Sequence, residues 1–192
     1  MGILQKLAGR YANLPRGVFP ERGMRQCICL VTHICEYKDF CINSDLGRVA
    51  SVMDTYYSQT ASIIMRNGGV VDRFCDDKIV SFYGIHDQKF PPADRIVETG
   101  IEIVTSFEQM LQLPKGEVMK LGVGICAGTV IYGEFGSRER ATVTAFGSTV
   151  ICSGRLGENS PGVNVCRRIA ENVSNNILQK GFGRIMEHTG RT

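Results

Sequence analysis

GGVVDRFCDDKIVSFYG, residues 68–84, is the stretch that decides which fold the chain forms. Its two leading glycines end a long helical pattern, and two apolar runs (70–75 and 79–83) then flank Asp76 and Asp77. Aspartate suits a tight turn because its short side chain hydrogen-bonds to nearby backbone and tolerates left-handed conformations. The stretch therefore predicts a β-hairpin that directly follows a helix.

On both sides of this hairpin the chain alternates between strand-like and helix-like patterns. Residues 26–34 (QCICLVTHI) form an apolar run typical of a buried strand. A helix then begins near Ser44 or Asp45, either of which is a good N-cap, and continues to the glycines. The remaining predicted elements are a helix at 93–111, strands at 120–127, 130–135 and 142–146, a helix at 149–157, a short strand near Val163 and a helix at 166–178.

The resulting order, β-α-β-β-α-β-β-β-α, predicts a mixed α/β (α+β) domain. It matches a ferredoxin-like βαββαβ core, in which a mostly antiparallel sheet carries its helices on one face. This core supports many different activities, so the fold class alone assigns no function.

Domain organisation follows from composition along the chain. Residues 1–25 are predicted to be an N-terminal helix and linker, and residues 26–192 a single folded domain. The helix at 1–11 is short and amphipathic, which fits either a docking helix or a helix that lies on a membrane surface. The prolines and glycines of residues 13–23 are typical of a linker.

The overall composition is that of a globular protein, with 43% hydrophobic and 21% charged residues and a net charge of +3. Lys and Arg are scattered rather than clustered, so we expect no nucleic-acid partner. No apolar run reaches the roughly 20 residues that a membrane-spanning helix needs. No secretory signal pattern is present at the N-terminus, and we expect a cytoplasmic protein without a membrane span.

Eight cysteines without an export signal indicate free thiols in a reducing compartment. Four of them, with His33 among them, suggest a zinc site: Cys27, Cys29, Cys35 and Cys41. On an extended strand these side chains would spread over roughly 26 Å, because each residue advances the chain by about 3.3 Å. Zinc ligands must converge on one point, so we expect no zinc site here.

Three segments carry a resemblance to a known family: VTHI at 31–34, the hairpin stretch at 68–84, and the Gly-rich run at 122–156 that contains TAFGSTV. Together, in their order and spacing, they resemble the catalytic domain of the class III adenylate and guanylate cyclases over residues 26–165. The resemblance implies that residues 26–192 are a cyclase homology domain, with the cyclase elaboration of the ferredoxin-like core.

In that family two chains join head to tail, and the active site forms between them. The resemblance therefore implies a purine nucleoside triphosphate as ligand, Mg²⁺ or Mn²⁺ as cofactor if the protein is active, and a homodimer or a heterodimer with another cyclase domain. Divalent metals suit this chemistry because they activate the attacking ribose hydroxyl and bind the pyrophosphate that leaves.

The metal-binding positions are only partly retained. By resemblance, Asp77 matches the second metal-binding aspartate of the family, and the backbone carbonyl of Ile34 is available as a further ligand. His33 stands where the first aspartate belongs, 44 residues before Asp77. An imidazole is a poor ligand for Mg²⁺, although Mn²⁺ and Zn²⁺ accept it.

The positions that read the base and stabilise the transition state are altered too. By resemblance, Arg73 occupies the place of the adenine-reading lysine, and Thr144 the place of its base-contacting partner. Arg73 fits either contact with a purine edge or pairing with a hairpin aspartate. Arg155 matches the catalytic arginine, but Ile151 replaces the asparagine four residues before it, which removes a hydrogen-bond donor.

Two functions follow from these replacements. The first is a cyclase-like domain impaired at His33 and Ile151, which acts in cyclic-nucleotide signalling as a dimerising or nucleotide-binding regulatory module. The alternative is an active homodimeric cyclase that converts ATP or GTP to cyclic nucleotide and pyrophosphate at an altered, manganese-tolerant metal site.

Overall fold

A twelve-residue strand, β1 (Gly23–Ile34), runs through the middle of the sheet. It belongs to a computed structural model that describes residues 21–110, 119–137 and 140–178 of the 192-residue chain. The other strands are β2 (Val70–Cys75), β3 (Lys78–Tyr83), β4 (Leu121–Gly136), β5 (Ala141–Phe146) and β6 (Gly162–Val165). The helices are α1 (Tyr37–Asn43), α2 (Leu46–Arg66), α3 (Ala93–Met110), α4 (Ser148–Asn159), α5 (Arg167–Ala170) and α6 (Asn175–Leu178).

The six strands form one sheet in the order β2-β3-β1-β4-β5, and β6 pairs with β4 outside this path. All pairings are antiparallel except that of β4 with β6. The prediction of a mixed domain with a mostly antiparallel sheet is therefore confirmed. The predicted hairpin is present as β2 and β3, with Asp76 and Asp77 in its two-residue turn.

Helices α2 and α3 cover one face of the sheet. Helix α2 begins where predicted, since the Asp45 carboxylate accepts a hydrogen bond of 2.9 Å from the backbone N–H of Arg48. The buried sides of both helices join the first core cluster with every second residue of the strands, including Leu30 of β1 and Val123 of β4. This cluster supplies most of the apolar burial that stabilises the domain.

Helix α4, which follows the βαββαβ core in the chain, packs on the opposite face of the sheet from the two core helices. Residues 122, 124 and 128 of β4 are glycines, and their missing side chains let the helix backbone approach the strand directly. A Cβ at Gly124 would lie 1.9 Å from the Ser153 carbonyl oxygen, and one at Gly122 would lie 1.9 Å from the Gly157 carbonyl oxygen. No side chain fits in this contact.

Two strands extend further than predicted, because glycines within them had been interpreted as strand ends. The strands predicted at 120–127 and 130–135 are one continuous strand, β4, and Gly128 within it leaves room for the Thr149 side chain of α4. Strand β1 begins at Gly23 instead of residue 26, because Gly23 still pairs with Tyr132 of β4.

The helix predicted at 166–178 is interrupted, and forms the two short helices α5 and α6. The backbone N–H of Ser174 donates to the Asp94 carboxylate at 2.7 Å, so it is not available for a continuous helix. Helix α1 was not predicted. The helix expected at residues 1–11 lies outside the described residues, and among those described no helix is long and apolar enough to cross a bilayer.

The contact between α4 and β4 predicts a sharp difference between two glycines. Gly124→Ala should lower the free energy of unfolding by about 3 kcal/mol or more, because its Cβ meets helix backbone that cannot move aside locally. Gly154→Ala is the matched control within α4, since its Cβ would meet nothing within 4 Å. It should raise the free energy of unfolding by about 0.5–1 kcal/mol. Equal effects in urea unfolding would contradict this view of the contact.

Candidate functional site

His33, Ile34 and Asp77 meet where β1 ends beside the hairpin turn. The register sets His33 opposite Lys78, and the backbone N–H of Ile34 donates to the Asp77 carbonyl at 3.1 Å. The imidazole Nδ1 of His33 contacts the carboxylate Oδ2 of Asp77, and the two side chains are 22% and 18% exposed. The structure thus brings all three predicted metal-site residues together, with the two side chains directed at each other.

Two tyrosines of α2 hold the hairpin turn and the end of β1 in place. The Tyr56 hydroxyl shares a hydrogen bond of 2.5 Å with the Thr32 hydroxyl, and the Tyr57 hydroxyl donates to the Asp76 carbonyl. Asp76 has a φ of 47°, a left-handed conformation that aspartate tolerates. Burial raises the pKa of both tyrosines, so they stay protonated hydrogen-bond donors at neutral pH.

This donor set does not form a magnesium site by itself. It offers one imidazole nitrogen, one carboxylate and the nearby backbone carbonyl of Ile34, whereas Mg²⁺ prefers carboxylate, phosphate and water oxygens in octahedral geometry. Within the described residues no group of three or more His, Cys, Asp or Glu side chains is arranged to hold a metal ion. The mixed nitrogen and oxygen set is closer to what Mn²⁺ accepts.

The cysteines considered for zinc lie in different environments. Cys27 and Cys29 are buried in the second core cluster, on the sheet face that also packs against α4. Burial raises the pKa of the Cys27 thiol to about 12, which disfavours the thiolate that zinc requires. Cys35 and Cys41 are partly exposed beyond the end of the strand.

Arg73 and Thr144, predicted to read the base, are joined by Asp72, which the sequence offered only as an ion-pair partner for Arg73. The guanidinium of Arg73 pairs with the Asp72 carboxylate and donates to the Thr144 hydroxyl at 2.6 Å. The Thr144 hydroxyl in turn donates to the same Asp72 oxygen at 2.8 Å. Of the contacts considered for Arg73, the structure contains the one with Asp72.

Asp72 owes its position to a β-bulge. The pairing of β2 with β3 shifts register between Val71 and Arg73, so Asp72 is the extra residue of the bulge. Its side chain is only 3% exposed. Burial raises the pKa of this carboxyl, against the hydrogen bond from Thr144 and the charge of Arg73, which lower it. A charged residue inside the apolar pattern VVDRF was the available signal for a special role.

Arg155 and Ile151 lie one turn apart on the solvent-facing side of α4. Ile151 is 58% exposed, which is unusual for an isoleucine, and Arg155 is exposed as well. No hydrogen bond or ion pair joins Arg155 to another of the described residues. Both side chains therefore face outward from this chain, away from the second core cluster.

An ion pair connects α4 to the hairpin turn. Lys78, which follows Asp77, donates to the Glu158 carboxylate near the end of α4. This hydrogen bond raises the pKa of Lys78 and lowers that of Glu158, with burial opposing the shift in each case. Because both side chains are partly exposed, we assign the pair a positioning role and little net stability.

A cavity of about 360 Å³ lies near the other end of β1, lined by Gln26, Ile28, Phe90, Ala127 and Arg168 among others. None of the six predicted site residues lines it. Those six instead lie in three separate groups: the end of β1 with the turn, the bulge with β5, and the outer side of α4.

Solved structures with the same fold are nucleotide cyclase domains. The guanylyl cyclase Cya2 matches with a TM-score of 0.70 and 20% identity, over 80% of this chain and 81% of that chain. The adenylyl cyclase CyaB from P. aeruginosa has a TM-score of 0.67 and 16% identity, over 79% and 82%. The guanylate cyclase domain of RhGC from Catenaria anguillulae, in complex with GTP, has a TM-score of 0.69 and 15% identity, over 80% and 85%.

The sequence relatives match over a smaller share of their own length. The terminal-differentiation specific adenylate cyclase of Dictyostelium discoideum is 27% identical over 133 residues, which is 67% of this chain but 6% of that protein. An uncharacterised protein of Mycobacterium tuberculosis is 21% identical over 116 residues, which is 60% of this chain and 21% of that protein. The chain thus spans about a fifth or less of the curated relatives it matches. No family model matches it.

The buried carboxylate predicts a pH-dependent stability difference. Because the pKa of Asp72 is raised on folding, its ionisation disfavours the folded state. This contribution to stability is fully present below the ordinary aspartate pKa of about 3.9 and is lost as pH rises through the folded value. Asp72→Asn removes this dependence. The free energy of unfolding of the variant minus that of the wild type should therefore increase from about pH 4 to pH 7.

Urea unfolding over this pH range measures the difference. Asp54→Asn, which changes an exposed carboxylate on α2, is the matched control and should keep a constant difference from wild type. A constant difference for Asp72→Asn would mean that its ionised and neutral forms are equally accommodated.

Proposed function

The chain has the fold of the class III nucleotidyl cyclase catalytic domains, and from this premise we propose that it is a catalytically impaired cyclase homology domain. In this proposal it dimerises or binds a purine nucleoside triphosphate as a regulatory module in cyclic-nucleotide signalling. The observation that carries the proposal is the contact between His33 and Asp77.

That contact weakens the metal site in two ways. The histidine replaces an oxygen ligand with a nitrogen, which Mg²⁺ disfavours. It also occupies the carboxylate of Asp77, the other side chain that the resemblance assigns to the metal. A magnesium nucleotide would have to break this contact and would gain only one carboxylate.

The base-reading group supports impaired function as well. The guanidinium of Arg73 is engaged by Asp72 and Thr144, so contact with a purine would require breaking a half-buried ion pair. Removing one partner of such a pair leaves a poorly solvated charge, which is unfavourable. The network therefore favours an Arg73 that stabilises the chain over one that reads the base.

The outer side of α4 lacks one of the two groups that act on the phosphates in the family. Arg155 retains the charge, but Ile151 cannot donate a hydrogen bond. Loss of a single donor that acts on transition-state charge typically costs about 10²–10³ in rate. Two chains of this sequence would carry the defects of His33 and of Ile151 in the same composite site.

Dimerisation is supported by an exposed apolar row across three strands. Ile131 of β4 lies opposite Met24 of β1 on one side and opposite Phe146 of β5 on the other. All three side chains are exposed in the single chain, and the Phe135 ring packs at 4.9 Å from that of Phe146. A contiguous exposed apolar row of this kind is typical of a protein interface.

The alternative, an active homodimeric cyclase that uses ATP or GTP with Mn²⁺, has one observation in its favour. His33 Nδ1 and an Asp77 oxygen lie next to each other, so a single ion that separated them would meet both as ligands. The assay below separates the two functions.

We expect purified protein with Mn²⁺ and either ATP or GTP to form no cyclic nucleotide above the level of Asp77→Ala. His33→Asp combined with Ile151→Asn should then restore product formation, by about 10²–10³ for each recovered group. The matched control combines His33→Asp with Ile42→Asn, which changes an exposed isoleucine on α1. Wild-type turnover that disappears in Asp77→Ala would establish the active cyclase instead.

The dimer is tested separately by sedimentation velocity. Ile131→Ser with Phe146→Ser should raise the dimer dissociation constant by about tenfold or more, because each buried large apolar side chain contributes about 1.5–3 kcal/mol. Leu46→Ser is the matched control, since Leu46 is 84% exposed on α2 and lies outside the apolar row. Equal weakening by both changes, or none by either, would exclude this row as the interface.

A further inference from the structure

Three cysteines from distant parts of the chain meet beside α4: Cys126 of β4, Cys152 of α4 and Cys166 at the end of β6. Strands β4 and β6 run parallel with Ile125 opposite Val165. The next backbone N–H, that of Cys166, still donates to the Ile125 carbonyl at 2.9 Å. The pairing thus continues by one residue and sets Cys126 directly beside Cys166.

The same side of β4 also faces α4. Gly124 and Gly128 flank Cys126 on this side, and they contact Ser153 and Thr149 of the helix. The Cys126 side chain therefore lies beneath the helix segment that carries Cys152. Hydrogen-bonding contact with the sulfurs of Cys152 and Cys166, together with burial, raises the pKa of the Cys126 thiol.

Cys166 is the most activated thiol of the three. The hydrogen bond from Cys126 lowers its pKa to about 5, helped by the backbone N–H groups of Ala127, Arg168 and Ile169 and opposed by burial. These N–H groups lie close enough to favour a thiolate, although the sulfur makes no regular helix-capping hydrogen bond. Cys166 is also partly exposed, whereas Cys126 is buried.

We propose that Cys166 is a site of oxidation by hydroperoxides, and that Cys126 closes a disulfide with it. A partly exposed thiolate next to a second, protonated thiol is the arrangement found at thiols that respond to peroxide. Neighbouring strands lie about 4.8 Å apart. That spacing falls within the Cα separation of about 4.4–6.8 Å that a disulfide spans.

The chemistry balances with one hydroperoxide. The Cys166 thiolate attacks the terminal peroxide oxygen, the O–O bond breaks, and the alkoxide that leaves takes a proton from water; Cys166 becomes a sulfenic acid. The Cys126 sulfur then attacks the sulfenic sulfur, the S–O bond breaks, and hydroxide leaves with the Cys126 thiol proton as water. Two thiol sulfurs are oxidised to a disulfide, and the peroxide is reduced to an alcohol and water.

The product changes the surroundings of α4. In the reduced protein the Cys126 thiol contacts both neighbours, whereas a disulfide to Cys166 consumes the thiol proton that Cys126 could donate to Cys152. Cys152 lies next to Ile151 and on the same helix as Arg155. Oxidation at Cys166 therefore alters a contact of the helix that presents these outward side chains.

Hydrogen peroxide added to the full chain, followed by peptide mass spectrometry without reduction, tests the assignment directly. We expect a Cys126–Cys166 disulfide in the wild-type protein. In Cys126→Ser the sulfenic acid should persist, and dimedone should label Cys166. Labelling of Cys166 should exceed that of Cys75, an exposed thiol outside the cluster, by about tenfold at about pH 6.

Cys75→Ser is the matched control variant and should leave the Cys126–Cys166 disulfide unchanged. Because the wild-type disulfide is the primary readout, the test does not depend on any variant that folds poorly. A disulfide between Cys126 and Cys152, or labelling of Cys75 equal to that of Cys166, would overturn the assignment.

Discussion

The main-chain hydrogen bonding of β1 on both of its edges determines where the three predicted metal-site residues lie. β1 pairs with β4 along its entire length and with β3 over its second half. Because both neighbours continue to its end, His33 and Ile34 are fixed beside the hairpin turn, and Asp77 has no freedom to move away. The tyrosines of α2 then fix the turn from the other side. The site is thus a consequence of strand register, and the side chains add its chemistry.

Side-chain contacts on the paired strands set the chemistry of the candidate site. At one point an imidazole lies against a carboxylate, and at another a guanidinium lies against a buried carboxylate. In each case a group that would otherwise meet a ligand already has an intramolecular partner. Such pairs are held by local geometry, so they persist without nucleotide. In the function proposed above, this common feature of two separate groups is the physical basis of a weakened site on an intact fold.

The sequence was sufficient for the hairpin, the long helices and the mostly antiparallel sheet, because alternation, helical periodicity and turn residues are local signals. It also identified the resemblance to the cyclase catalytic domains, whose fold the chain shares. The sequence did not predict the role of Gly128, where a glycine serves close packing instead of a turn. It also did not predict that the backbone N–H of Ser174 donates to the Asp94 carboxylate. Both depend on contacts between distant residues that no local pattern contains.

The candidate site, like the fold, was predicted only where a local pattern was sufficient. Asp77, His33, Arg73, Thr144 and Arg155 were predicted by position in a motif, whereas Asp72 entered only as an alternative ion-pair partner of Arg73. Its role depends on a bulge that turns it toward Thr144, a residue 72 positions away. A lone charge in an apolar strand pattern was visible, but its partner was not. The three-cysteine cluster likewise arises only when β4, α4 and β6 are brought together.

The glycine-lined contact of α4 with β4 has a consequence for how such a chain can diverge. The inward side of the helix, which buries Thr149, Ser153, Leu156 and Gly157, is tightly confined, since it packs directly on the strand glycines. The outward side, with Ile151 and Arg155, carries none of that packing and can vary at little cost to folding. Mutational drift can therefore change what the helix presents to a partner while the architecture stays intact. A binding scaffold can arise from an enzyme in this way through a few surface substitutions.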